Sequence, residues 1–190
     1  MSIFENILDI LEKKGAISIP SLLDEMNRQN NYQRASTKPV ELSHVKSVIS
    51  RKRELFHIKN NIVTIDPDKD PILLSVSIGG YPGPWYKIEV DFINGRFVYF
   101  EWHLSSFSSR NELPAVSGSI EEFKKELYRL KIWKWQEEYK NPGIILDSVT
   151  WSVKLVTKEN IFESQGIQAF PNGWEKFCIA LTKLTGKDIC

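Results

Sequence analysis

The sequence predicts an α+β protein in two parts: an N-terminal piece of three helices closed by a hairpin, then a larger piece in which an antiparallel sheet carries helices on one face. Three observations predict it. Apolar residues recur at helical spacing in three segments before residue 55 and then change to a two-residue rhythm. After residue 71, strand-like alternation and helix-like periodicity follow one another twice. Between these parts lies "DPDKDP", residues 66–71, whose two prolines and four charged side chains read as a linker. The expected organisation is residues 1–66, a linker at 67–71, and residues 72–190 as two hairpin–helix units.

In the first helix, Ile3, Phe4, Ile7, Leu8 and Leu11 form one face, and Lys13 and Lys14 precede a stop at Gly15. Ser18 is placed to cap a shorter second helix, with Pro20 in its first turn and Leu22, Leu23 and Met26 on one side. The polar stretch "NNYQRASTKP" reads as loop. Leu42, Val45, Val48 and Ile49 then mark a third helix from about Glu41 to about Glu54. "LFHIKNNIVTI" follows, alternating around Asn60 and Asn61, a residue type that tolerates the positive φ of tight hairpin turns.

Three helices and a hairpin in this order make residues Ile3 to Ile65 resemble a winged-helix domain. The long second loop and compact hairpin are similar to the group found in the bacterial RNA polymerase delta subunit. The resemblance implies DNA binding or, since members of that group also dock proteins, a protein partner. Placed at 100° per residue, the third helix presents Ser43, His44, Ser47, Ser50 and Arg51 opposite its apolar face. Serine and arginine on such a face can donate to base edges or phosphates, and Lys46, Lys52 and Arg53 at its margins can neutralise flanking phosphates. Lys59, Asn60 and Asn61 fall at the tip of the wing. The competing reading of "RKR" is a solvated last turn that complements the helix dipole.

Charge supports a local rather than a global interface. The formal net charge is +1, too small for a protein that coats nucleic acid with its whole surface. Yet residues 28–59 hold eight basic groups against two acidic ones. All six tryptophans lie between Trp85 and Trp174, so the aromatic composition shifts where the charge does.

In the larger piece, Tyr86, Ile88, Val90 and Phe92 alternate before an Asn94–Gly95 turn, and Phe97 and Tyr99 follow it. Ser119 and Glu122 form a capping-box pattern before a helix from about Ile120 to Leu130. "KIWKWQEEY" fits either more helix or a strand. Trp151, Val153 and Leu155 lead through "KEN" into a second hairpin, and Asn172 with Glu175 is placed to cap a last helix ending at Gly186. The run from "ILDSVTWSVKLV" to "PNGWEKF" resembles a small bacterial domain type without a known activity, so it adds nothing to function.

Catalytic residues, metal ligands and cofactors are not expected. His103 is the single histidine after residue 57, and "GGYPGP" lacks the ending of a phosphate loop. His103 with Ser105, Ser106, Ser108 or Cys178, or a pairing of Asp91, Glu101 and Asp147, is chemistry only if the fold gathers them. Trp151 and Trp174 sit on the apolar phase of their elements and are expected in the core. Trp85, beside a Gly/Pro turn, and Tyr81 are the candidates for partner binding. No apolar run reaches the roughly 20 residues of a membrane helix, and the N-terminus lacks the pattern of a signal peptide. Cys178 and Cys190 make no metal spacing and no disulfide framework, which fits a reducing cytoplasm. DNA is therefore the expected partner, a protein the alternative, and a membrane is not expected. The oligomeric state is not encoded in any of these patterns.

Overall fold

Ser2 opens the first helix, α1 (Ile3–Lys14), with a reciprocal cap: its Oγ accepts the Glu5 N–H, and the Glu5 carboxylate accepts the Ser2 N–H at 2.7 Å. Gly15 ends it at φ 71°, donating its N–H to Leu11. The computed structural model to which these elements belong describes residues 2–33, 39–103, 106–110, 117–141, 143 and 148–189. It is mixed α+β and divides into units Met1–Asp70 and Pro71–Cys190.

In the first unit α1 is followed by β1 (Ile17–Ser18), α2 (Ile19–Gln33), α3 (Leu42–Arg51), β2 (Phe56–Lys59) and β3 (Ile62–Ile65). Ile7, Leu8, Leu22, Met26, Val45, Ile49 and Val63 are buried and form its core. The three strands lie in the order β1-β3-β2, with Ile17 opposite Val63. Three expectations need correction. α2 runs four residues into the stretch read as loop, because Asn30–Gln33 remain helical. α3 is shorter than Glu41–Glu54: after Arg51 the chain tightens, with Lys52 donating to Val48 and Ile49 and Leu55 donating to Lys52, which turns Leu55 and Phe56 into the core. Leu42, expected on the apolar face, is 37% exposed and is the first residue of the helix. The segment read as a linker carries regular structure. Pro67–Lys69 form a 3-10 turn whose cap Asp66 accepts the Asp68 N–H and the Lys69 ammonium, and Pro71 already begins a strand.

The second unit comprises β4 (Pro71–Gly79), β5 (Trp85–Asp91), β6 (Arg96–His103), β7 (Ser106–Arg110), α4 (Ile120–Leu130), β8 (Glu138–Lys140), β9 (Thr150–Thr157), β10 (Ile161–Ile167) and α5 (Trp174–Thr185). They build one seven-stranded sheet in the order β7-β6-β5-β4-β9-β10-β8. The sheet is not wholly antiparallel, since β8 runs parallel to β10, and the first unit of the expected repeat is a four-stranded meander rather than one hairpin. Leu74, Val76, Ile78, Ile88, Val90, Val153 and Leu155 point to one face and pack with Phe123 and Leu127 of α4 and Phe177 and Leu181 of α5. Trp151 and Trp174 lie in this core with ring centroids 4.6 Å apart, and the Trp151 indole N–H donates to the Ala169 carbonyl at 2.8 Å.

Ser119 caps α4 through the Glu122 N–H, but the Glu122 carboxylate turns to Lys125, so the box is not reciprocal. Gly173, not Asn172, is the residue before α5, at φ 89°, a conformation that glycine adopts without strain. Cys178, expected as a thiol, is disulfide-bonded. No helix among the described residues is long and apolar enough to cross a membrane.

Candidate nucleic-acid interface

α3 is amphipathic because its two fully buried side chains, Val45 and Ile49, are four residues apart and fall on one stripe. The opposite stripe carries Ser43, His44, Ser47, Ser50 and Arg51, all exposed, with Lys46 and Arg53 exposed beside it. The β2–β3 hairpin follows α3 and carries Lys59 next to its turn. Asn60 and Asn61 have φ of 50° and 62°, the pair of left-handed residues that a two-residue hairpin turn demands. The Asn61 carbonyl accepts the Ile19 N–H at 3.0 Å, which ties the hairpin tip to the start of α2.

The basic side chains divide by what they touch. The Lys52 ammonium stands 5.1 Å from the centre of the Phe4 ring and is half-buried, so it contributes to packing between α1 and the end of α3. Arg51 folds back along its helix and donates from Nε to the Ser47 carbonyl at 3.3 Å. Among the described residues none of Lys46, Arg51, Lys52, Arg53 and Lys59 forms an ion pair. Elsewhere in this unit, Lys14, Arg28 and Lys69 are paired with carboxylates. Glu25 bonds both Arg28 at 2.7 Å and Lys14 at 2.9 Å, and these hydrogen bonds, Arg28 first, lower its pKa from 4.5 to about 2. Between Leu42 and Ile65 there are five Lys/Arg and one acid, Glu54. Glu41 sits at the edge of the stripe and accepts the Ser43 hydroxyl at 3.2 Å. The sequence reading missed His57, which is exposed on the outward phase of β2 with Lys59. Its alternation in "FHIK" is the signal that would have found it.

Among the described residues the second unit does not gather Asp91 with Glu101. Asp91 closes the β5–β6 loop, accepting the Ile93 and Asn94 N–H groups and the Asn94 side chain, which lowers its pKa below the usual carboxylate range. Glu101 lies at the far end of β6, where it accepts the Tyr99 hydroxyl at 2.8 Å and meets His103 Nε2 at 3.1 Å. Burial, then the bond to Glu101, raises the Tyr99 pKa, so its phenol stays a donor. Asp147 and Ser105, and the side chains of Ser106 and Ser108, lie outside the described residues. The disulfide removes Cys178 as a thiol nucleophile.

Trp85 and Tyr81 are separated rather than joined. Trp85 lines a cleft of about 300 Å³ with Ser77, Thr150, Ser152 and Gln165, whereas Tyr81, 68% exposed, lines another of about 370 Å³ with Gly80, Pro84 and Tyr86. Among the described residues no three His, Cys, Asp or Glu side chains are grouped to hold a metal ion. No family model, curated protein or solved structure matches the chain.

Proposed function

We propose that the first unit is a winged helix that binds DNA through α3 and the β2–β3 wing, in a transcriptional regulator whose second unit binds a partner, senses a ligand or dimerises. The observation that supports it is the cluster of cations, Lys46, Arg51, Arg53 and Lys59, that among the described residues have no acidic partner and lie on or beside a stripe of small polar residues. In water such charges repel one another, and a phosphate backbone would both neutralise them and release its counterions. The order α1-β1-α2-α3-β2-β3, with β1 beside β3, supports the winged-helix reading. Ser43, Ser47 and Ser50 allow close approach of α3 to a groove, with Lys46 and Arg53 at its flanks and Lys59 reaching from the wing.

The test is fluorescence anisotropy of a mixed-sequence duplex at several salt concentrations. With four to five phosphate contacts, affinity falls roughly a few hundredfold between about 50 and 200 mM salt. An affinity that does not respond to salt removes this reading.

A second reading, a protein adaptor acting on the transcription machinery or on a mobile-element or toxin partner, rests on Ile58 and Ile62. These wing residues are 46% and 45% exposed, and Leu42 adds a third exposed apolar side chain on α3. A protein partner that is retained after Arg51, Lys52 and Arg53 are all changed to Glu favours the adaptor over DNA binding.

A further inference from the structure

The sheet face opposite the helices carries a built groove. Counting outward through the pairings gives a continuous cross-strand row, Trp102–Trp85–Gly79–Thr150–Ile167–Lys140. Its neighbour is Phe100–Lys87–Ser77–Ser152–Gln165–Glu138. Glycine at position 79 leaves one place in the first row empty. The Trp85 indole lies across it, so close that a Cβ there would stand 2.5 Å from a ring carbon. On its other side Trp85 stacks on Trp102, with centroids 6.2 Å apart and planes 14° from parallel. The indole is thus a fixed wall, half-buried, at the edge of the cleft of about 300 Å³, a volume at the lower end of small-molecule sites.

The rest of the lining is mixed: Ile167 and Tyr139 add apolar surface, and the neutral polar side chains between them are unspent. The side chains of Ser77, Thr150, Ser152 and Gln165 make no hydrogen bond among the described residues. The charges around them are already spent: Lys87 pairs with Glu89, Arg96 with Asp91, Lys140 with Glu138 and Lys154 with Glu163. A face whose cations, among the described residues, are matched by carboxylates offers little field for phosphates, in contrast to α3. What remains is an aromatic wall and the Ile167 side chain beside hydroxyl and amide groups.

We infer that this groove binds a neutral saccharide, one pyranose ring laying its C–H face on Trp85 and its hydroxyls on Ser77, Ser152, Thr150 and Gln165. The C–H hydrogens of the sugar carry partial positive charge and meet the negative face of the indole. Each sugar hydroxyl both donates and accepts, as the serine, threonine and amide groups do. The inference is independent of the DNA reading, which concerns the other unit.

The test follows the indole and backbone amide resonances of the full ¹⁵N-labelled chain during titration with cellohexaose, maltohexaose and chitohexaose, and separately with an oligothymidylate. The expected result is a saturable shift of the Trp85 indole N–H with at least one hexasaccharide, about tenfold weaker in Trp85→Ala. Gln165→Ala, an exposed site whose change leaves the fold intact, weakens binding several-fold, and Lys46→Ala does not. Absence of a shift with all three sugars overturns the inference. A Trp85 shift with the oligothymidylate alone also overturns it, in favour of base stacking.

Discussion

Gly79 and Trp85 are cross-strand partners on β4 and β5, and the Trp85 ring occupies the space where a side chain at position 79 would stand. Even one added methyl group therefore meets the indole. Gly79→Ala is expected to lower stability by about 1–3 kcal/mol, the range for overpacking. It also changes the emission of Trp85, because the ring must leave its stack with Trp102. Chemical denaturation of the two proteins, followed by circular dichroism, checks the first effect. An unchanged midpoint would show that the indole yields without cost.

The β2–β3 turn places two non-glycine residues at positive φ. Asn61→Ala is expected to destabilise the first unit by about 1 kcal/mol and Asn61→Gly to be neutral or stabilising, because only alanine pays for the left-handed conformation. The order of the three thermal midpoints, Gly at or above wild type and Ala below it, is the measurement.

Glu25 supplies a pH dependence of known sign. Its folded pKa, about 2, lies below the ordinary 4.5, so the stabilisation is fully present above pH 4.5 and is lost as pH falls toward 2. In Glu25→Gln the part of the acid-denaturation curve between these limits that belongs to this group flattens. Stability profiles of wild type and variant that stay parallel from pH 5 to about 2 contradict it.

Lys59 and Lys52 are predicted to behave differently although both belong to the basic cluster. Lys59→Ala reduces the slope of log affinity against log salt by about 1 and weakens binding evenly across duplex sequences. Lys52→Ala acts first on folding, costing about 0.5–1 kcal/mol through the lost contact with the Phe4 ring. Measuring both quantities on both variants separates a phosphate contact from a packing one.

Legibility followed the range of the forces involved. The Asn60–Asn61 turn, the apolar stripe of α3 and the core positions of Trp151 and Trp174 were readable because each is set by local backbone preference or by periodicity. The end of α3 was not, since Lys52, Arg53 and Glu54 are good helix formers and only the need to bury Leu55 and Phe56 stops them. β8 was left undecided for the same reason: "KIWKWQEEY" fitted helix or strand, and "EYK" has no alternation of its own. It is placed by bonds from remote residues, the Gln165 N–H to Glu137 and the Ser164 hydroxyl to Gln136. The groove was hidden by two residues of register. An Asn94–Gly95 two-residue turn would set Ile93 opposite Arg96. The actual loop spans residues 92–95 and pairs Asp91 with Arg96, which is what brings Trp102 opposite Trp85. Asp91, read as a possible catalytic acid, is the residue whose hydrogen bonds hold that longer loop.

The parallel strand at the end of the sheet has a bearing on how the protein behaves in company. β10 would otherwise end the sheet with seven residues of unpaired backbone, Ile161 to Ile167, and Ile161 and Ile167 are more than half exposed. β8 covers part of this edge with three residues, and Glu138 and Lys140, exposed and paired to each other, flank what it leaves. A short, charged terminal strand is a poor template for another chain, so the segment guards the domain against open-ended strand pairing and the aggregation that follows from it.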